Sequence, residues 1–191
     1  MNRPPFPEWC EAAPDATFSA PAECARRLSK FESRIRIRNA IEYAAGVMVC
    51  FLFGGSAIAA MDGGEVWLAA SLVSIVIGTC FVLWNLHRRG SNLERRPEDP
   101  CVRHLDRQYR HQRDALRNVP QWYIAPLIPG VLMLYFVVAA KVASKVGWGP
   151  ALLGIAEPAA ITFGIFSLVA IVNWWGAKRL ELQIEKLREL I

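Results

Sequence analysis

Charged residues are absent from four long stretches of this sequence. No Asp, Glu, Lys or Arg occurs within residues 43–61, 66–86, 118–140 or 158–177, and each stretch holds 19 to 23 residues. A helix of that length is about 28–35 Å long, which matches the roughly 30 Å hydrocarbon core of a bilayer. Because backbone groups inside lipid must pair within their own segment, the four stretches predict transmembrane helices rather than strands.

Sequence motifs of common enzymes and nucleotide-binding proteins are also missing. The chain has no GxxxxGK[ST], GxGxxG, GxSxG or HExxH pattern, and its five cysteines form no CxxC pair. Cys101, His104 and His111 have metal-ligand side chains at helical spacing, but a structural zinc needs four ligands and the fourth is missing. We interpret them as solvated helix residues. The sequence predicts no catalytic residue, no cofactor and no metal, and hence no enzyme.

A cleavable signal peptide is not predicted, because the residues before the first apolar run are polar and rich in proline. Residues 1–18, with four prolines and no apolar periodicity, predict a disordered arm. We expect residues 19–191 to form one all-α domain of two antiparallel transmembrane hairpins with helical extensions. The predicted spans cover about 41–61, 66–86, 121–140 and 157–177, and the predicted extensions cover about 20–40, 102–119 and 178–191.

Basic residues are distributed unequally between the connections. Seven Lys and Arg precede the first span, nine lie between the second and third spans, and four follow the fourth. The two remaining connections hold only Lys141 and Lys145. This bias predicts that both termini and the central loop are cytoplasmic. Six of the seven tryptophans lie at predicted span ends, as in the aromatic belts of membrane proteins.

Each predicted extension carries one apolar stripe. The stripe residues are Leu28, Phe31, Ile35, Leu105, Tyr109, Leu116, Leu180, Ile184 and Leu187. Stripes of this kind are too apolar to face water in three separate helices. We expect them to pack on one another in a short bundle beneath the membrane, or on a partner protein or a second copy of the chain. These residues are therefore the candidate partner-binding residues.

Small residues recur at four-residue spacing within two predicted spans. They are Ala70, Ser74 and Gly78 in the second span, and Ala160 with Gly164 in the fourth. Small side chains at this spacing allow helix backbones to approach closely. We interpret them as packing positions within the bundle, and a dimer interface is the alternative.

Two places near the predicted span ends each have two interpretations. Glu157 followed by Pro158 is typical of a helix start at the outer interface, and an intramembrane ion or proton site is the alternative. Pro126 and Pro129 predict a kink in the third span. The kink serves packing or, as the alternative, acts as a hinge.

The basic run before the first span, at 26–38, is explained by topology and by contact with anionic lipid headgroups. A basic residue near such a surface contributes about 1 kcal/mol. Nucleic-acid binding is not predicted, because no recognisable binding module accompanies these charges.

The segments Arg34–Tyr43 and Gln112–Tyr123, with Pro126 and Pro129-Gly130, resemble an uncharacterised group of small bacterial four-span inner-membrane proteins. The resemblance covers about residues 24–130. In that group a short arm with a tryptophan leads into an Arg-rich helix and then the first span. Members are often encoded beside alternative sigma factors, so the resemblance implies an anti-sigma-like or signalling role with a cytoplasmic sigma factor as partner.

The expected function is therefore that of a non-enzymatic protein that presents cytoplasmic amphipathic helices to a partner. A small transporter or channel component and a structural membrane scaffold are the alternatives. Transport calls for buried polar groups along a path, and the first three spans offer few of them.

Overall fold

The computed structural model describes residues 21–95 and 100–188, with side chains from Cys24 onward. Within these residues the protein has five α-helices and a π-helical turn, and no strand. The helices are α1 (Pro21–Asp62), α2 (Val66–Arg89), α3 (Cys101–Arg117), α4 (Ile128–Val146) and α5 (Trp148–Arg188), and the π-helical turn is Pro120–Ile124. The predicted arm 1–18, the predicted helix start at 19–20 and the last residues of the tail, 189–191, lie outside the described residues.

Four of the described helices, α1, α2, α4 and α5, are long and apolar enough to cross a membrane. The all-α fold with four membrane-spanning helices, predicted from the charge-free stretches, is therefore confirmed. α1 has 42 residues and α5 has 41, or about 60 Å each, so both extend beyond a bilayer core. The described parts of the extensions predicted at 20–40 and 178–191 are thus continuous with the first and fourth spans.

The two ends of the helical bundle differ in composition. One end has α3 and the extended parts of α1 and α5, and we call it the basic end. The other end has the tight turns that connect α1 to α2 and α4 to α5, and we call it the turn end. Gly64 and Gly147 make these turns with φ of +75° and +86°, a conformation that favours glycine. Lys141 and Glu65 form an ion pair near the turn end.

The four long helices form an open arc. α1 packs on α2, α2 packs on α4, and α4 packs on α5. Within the described ranges α1 and α5 have no extensive contact with each other. At the basic end α3 packs mainly on α5 and also reaches α1.

The third span differs from its predicted range of 121–140. Regular α-helix begins only at Ile128, after the π-helical turn and a further turn at 125–127, and it continues to Val146. The kink predicted from Pro126 and Pro129 lies at a break in the regular α-helical hydrogen bonding, because a proline supplies no N–H. The backbone dihedral angles at Ala125 and Leu127 remain helical. Pro129 lies in the first turn of α4, where no N–H is needed.

The fourth span begins earlier than predicted. Glu157 and Pro158 lie inside α5 and do not start it, so that prediction was wrong. The positive φ at Gly147 reverses the chain, and the apolar residues after Trp148 are helical at once. The Tyr135 hydroxyl donates a hydrogen bond to the carbonyl oxygen of Pro158 at 2.9 Å, which connects α4 to α5. Glu157 itself is exposed on α5.

Two glycines allow α2 and α4 to approach closely. A Cβ atom at Gly78 would lie 2.5 Å from the carbonyl oxygen of Pro126, and one at Gly130 would lie 2.8 Å from the backbone nitrogen of Ile75. The break in the third span therefore packs directly against α2 at a position where only glycine fits. Gly78 is one of the small residues that the sequence analysis placed at packing positions.

The other predicted packing residues have different surroundings. Ala70 and Ser74 are half-buried on α2. Ala160 and Gly164 are exposed on α5, and a Cβ atom at Gly164 would meet nothing within 4 Å. The interpretation as packing within the bundle does not hold for these two residues in a single chain, because α5 contacts α4 through a face that includes Thr162.

Candidate functional site

The three predicted apolar stripes meet at the basic end. Two residues from each of three helices form one buried cluster: Cys24 and Leu28 of α1, Leu105 and Tyr109 of α3, and Leu180 and Ile184 of α5. Phe31, Leu116 and Leu187 pack against this cluster, and Ile35 is also buried. All nine candidate partner-binding residues therefore lie at this end. Most of them bury one another, as the short-bundle interpretation expects, and only the partly buried ones reach a surface.

The ring of Tyr109 connects this cluster to the surface. Phe31 packs edge-on against Tyr109 with the ring centroids 4.7 Å apart. Burial raises the pKa of the Tyr109 hydroxyl above its ordinary value. The hydroxyl is therefore neutral at physiological pH, and the two rings act as apolar surface.

Buried side-chain amides fix α3 to the chain that follows α2. Gln112 donates a hydrogen bond to the carbonyl oxygen of Gly90 at 3.2 Å. Gln108 accepts one from the backbone N–H of Leu93 at 2.9 Å and donates one to the Asn92 side chain at 2.7 Å. A buried polar group left without a partner costs about 1–3 kcal/mol, so these bonds specify where α3 lies.

His104 is fully buried on α3, so its interpretation as a solvated residue was wrong. Its Nε2 atom lies 3.6 Å from a carboxylate oxygen of Glu32. His104, Gln108 and Gln112 are four residues apart and lie beside the apolar stripe of α3, which makes the buried face half polar. This spacing is present in the sequence, but hydrophobic periodicity alone does not reveal a polar buried face.

The other two residues of the candidate metal set, Cys101 and His111, are partly buried. Over residues 21–95 and 100–188, no three His, Cys, Asp or Glu side chains come close enough together to hold a metal ion.

A cavity of about 710 Å³ opens between α1 and α5 at the basic end, and we call it the basic groove. Six cationic side chains line it: Arg27, Lys30, Arg34 and Arg38 from α1, and Arg179 and Lys186 from α5. Its apolar lining consists of Phe31, Ile35, Leu105, Tyr109, Leu180 and Leu187. Among the described residues no acidic side chain lines this groove. The groove therefore combines a strongly positive rim with an apolar floor.

The cations of the groove differ in how they are paired. Arg38 donates a hydrogen bond to the Asn39 side chain at 3.0 Å and lies 3.6 Å from a carboxylate oxygen of Glu42. Within the part of the chain that the structure describes, four others form no ion pair and no side-chain hydrogen bond: Lys30, Arg34, Arg179 and Lys186. Because like charges at close range repel each other, the groove favours an anionic ligand that also presents an apolar side.

No family model, curated protein or solved structure matches this chain. The site is therefore interpreted from its own residues and geometry.

Proposed function

We propose that this chain is a non-enzymatic protein of a bacterial inner membrane that binds a cytoplasmic protein through the basic groove, in an anti-sigma-like signalling role. The observation that carries the proposal is the combination of six cations, an apolar floor and no acidic lining residue among those described. The occupant that fits is an amphipathic helix with an acidic face. A groove between two helices above a third is a common receptor for such a helix.

The part of the groove farthest from the spans is the part open to a soluble protein. Lys30 precedes the first charge-free stretch, at 43–61, by 13 residues, or about 20 Å of helix. The headgroup layer on one side of a bilayer is only about 5–8 Å thick. Lys30, Phe31, Lys186 and Leu187 therefore form what we call the distal part of the groove, beyond the headgroups. Two cations and two partly buried apolar side chains there suit an acidic amphipathic helix.

The defined probe for this proposal is a purified alternative sigma factor from the organism that encodes the chain, because the group that the sequence resembles is often encoded beside such factors. We expect it to bind the full-length protein in detergent, and we expect Lys30→Glu combined with Lys186→Glu to weaken binding by about tenfold or more, because like charges then face the acidic helix. The matched control is Arg36→Glu with Arg188→Glu, which makes the same charge change on the same two helices outside the groove. Equilibrium binding by fluorescence anisotropy measures both.

Two outcomes count against the proposal. Equal losses in the two double variants assign the effect to overall charge and not to the groove. A sigma factor that does not bind the unaltered protein removes the anti-sigma-like role, and the scaffold interpretation then leads.

The orientation of the basic end is tested separately with single cysteines in a cysteine-free background. The two cysteines are introduced by Arg103→Cys and Asp62→Cys. Arg103 is exposed on α3 at the basic end, and Asp62 is exposed at the turn end. Because the basic residues cluster at one end, we expect a membrane-impermeant maleimide to label Asp62→Cys on spheroplasts and Arg103→Cys only after lysis. The reverse pattern would place the groove outside the cytoplasm and rule out a sigma factor as its ligand.

A further inference from the structure

The long helices leave a lateral opening between α1 and α5. Over residues 21–95 and 100–188 the backbones of these two helices rarely come close to each other, although their side chains join the same buried cluster at the basic end and each helix packs on its neighbour in the arc. The basic groove continues into this opening, because Arg38 lines both the groove and a second cavity of about 210 Å³. The opening thus begins at the basic end and runs toward the middle of the spans.

Two further cavities extend the row into the apolar layer. A cavity of about 110 Å³ shares Glu42 and Tyr123 with the second cavity. It also shares Val49 and Leu127 with a last cavity of about 270 Å³. Each cavity therefore has lining residues in common with the next, and together they form one row along α1.

The chemistry of the lining changes steadily along this row. The groove at the basic end is cationic. The second cavity is lined by the interfacial aromatic residues Trp122 and Tyr123, with Asn173 opposite, and its acid Glu42 is the residue that pairs with Arg38. The last cavity is almost entirely apolar, with Phe53 and Phe166 among its walls. This order of cations, interfacial aromatics and apolar groups is the order found through one leaflet of a bilayer.

The length of the row also matches one leaflet. Arg38 and Phe53 are 15 residues apart on α1, or about 22 Å. Half of the hydrocarbon core plus one headgroup layer is about 20–23 Å thick. A ligand that fills the row therefore reaches from the headgroups at the basic end to the middle of the bilayer.

We propose that the row of cavities along α1, which opens between α1 and α5 at the basic end and passes between α1 and α2 at its third cavity, binds one anionic phospholipid from the leaflet at the basic end. Arg38 and Arg179 line the part of the groove nearest the spans, and Arg34 lies about one helical turn farther out. We call these three the proximal cations, and they hold the lipid phosphate, Arg34 through its long side chain. Guanidinium groups suit this role, because their donors match phosphate oxygens in bidentate geometry. An acyl chain occupies the apolar cavity between Val49 and Phe166.

An anionic phospholipid fits these observations better than other anions do. A free anion would be satisfied by the cations alone and leaves the apolar cavities without an occupant. An acidic protein segment would carry charges and backbone groups into the apolar layer at high cost. Basic pockets between transmembrane helices at the headgroup level are known to take anionic headgroups. The two proposals share the basic groove but are tested at different residues: this inference at the proximal cations, and the proposed function at the distal residues Lys30 and Lys186.

Native mass spectrometry of the full-length protein in detergent tests the inference. The protein is titrated with phosphatidylglycerol and, separately, with phosphatidylcholine of the same acyl chains. We expect one phosphatidylglycerol to bind in clear preference. We expect Arg34→Gln combined with Arg179→Gln to weaken that binding by about 30-fold, as the loss of two basic contacts predicts. The control Arg36→Gln with Lys178→Gln removes two charges from the same helices outside the row, and should change binding by less than about twofold.

A second variant tests the apolar half of the site without changing charge. Val49→Trp fills the last cavities, so it should lower phosphatidylglycerol binding while Arg34 and Arg179 stay in place. If that variant does not fold, Phe166→Ala is used instead; it leaves the cavity open but removes the ring that contacts the acyl chain, so it should also lower phosphatidylglycerol binding, by a smaller factor. Inorganic phosphate should not displace the lipid.

Four results would overturn the inference. The first is that phosphatidylglycerol and phosphatidylcholine bind equally well, and the second is that both charge-neutralised double variants lose phosphatidylglycerol binding to the same extent. The third is that inorganic phosphate displaces the lipid at the concentrations at which the lipid itself binds. The fourth is that a folded cavity variant binds phosphatidylglycerol as the unaltered protein does. If phosphatidylglycerol and the sigma factor compete for binding, the proximal cations bind a protein segment and not a lipid, which would also overturn the inference. If the Arg34→Gln, Arg179→Gln double variant loses lipid binding but still binds the sigma factor, the two proposals are tested independently of each other.

Discussion

Replacing Gly78 with alanine is expected to destabilise the transmembrane bundle by about 1–3 kcal/mol, which is the usual cost of adding atoms to a fully packed site. The new Cβ atom would lie 2.5 Å from the carbonyl oxygen of Pro126. A backbone oxygen cannot rotate away as a side chain can, so α2 and the break before α4 must move apart. The expected result is a clear drop in the unfolding temperature of the protein in detergent, measured by intrinsic fluorescence.

Two other glycines supply graded controls for the Gly78→Ala measurement. Gly46→Ala places its Cβ atom 2.6 Å from a methyl carbon of Leu83, which is a flexible side chain, so a smaller loss is expected. Gly164→Ala meets nothing within 4 Å and should be neutral or slightly stabilising, since alanine has the higher helix propensity. A loss at Gly164 equal to that at Gly78 would mean that close approach of α2 and α4 is not what requires glycine.

Replacing Leu105 with alanine is expected to cost about 2–5 kcal/mol in the packing of the basic end, as for other large-to-small changes in a core. Leu105 is only 2% exposed and lies in the cluster that joins α1, α3 and α5. We expect hydrogen exchange to accelerate in α3 and in the extended parts of α1 and α5. The contacts of α1 with α2 and of α2 with α4 lie along the spans, so membrane insertion should survive.

The matched control for Leu105→Ala is Leu182→Ala. Leu182 lies on α5 near the same cluster but is 60% exposed, so removing its side chain leaves no cavity. We expect its hydrogen exchange and its protease resistance to match those of the unaltered protein. If both leucine variants behave like the unaltered protein, the cluster does not hold the basic end together.

The number and the approximate places of the long helices could be predicted from the sequence, because both depend on local composition. A charge-free stretch of about 20 residues is favourable in lipid only as a helix, whatever lies beside it. The apolar stripes were also local patterns, and their convergence followed from the cost of exposing them to water. Five of the six residues of the buried cluster, Leu28, Leu105 and Leu180 among them, therefore belong to the predicted stripes, and Cys24 does not.

Helix ends and the buried polar face were harder to predict, because each depends on contacts between distant residues. Gly147 ends α4 and lets α5 begin at Trp148, whereas the Glu157–Pro158 pair is an equally good local start that the fold does not use. His104 is a polar residue in a highly charged helix, which is typical of a solvated position, and only the packing of α3 buries it. Among the small residues, Gly78 packs against the backbone of Pro126, whereas a Cβ atom at Gly164 would have no neighbour within 4 Å. Both glycines nevertheless belong to sets of small residues with the same four-residue spacing.

The sequence by itself determined that this protein has four helices able to cross a membrane and an uneven distribution of basic residues among the connections between them. Those properties are sums over neighbouring residues. Only the tertiary structure decided that α1 and α5 stay apart, and that their cations face each other across an apolar floor. Which helices touch depends on how side chains and glycines fit across every interface at once, and no single stretch of sequence contains that information.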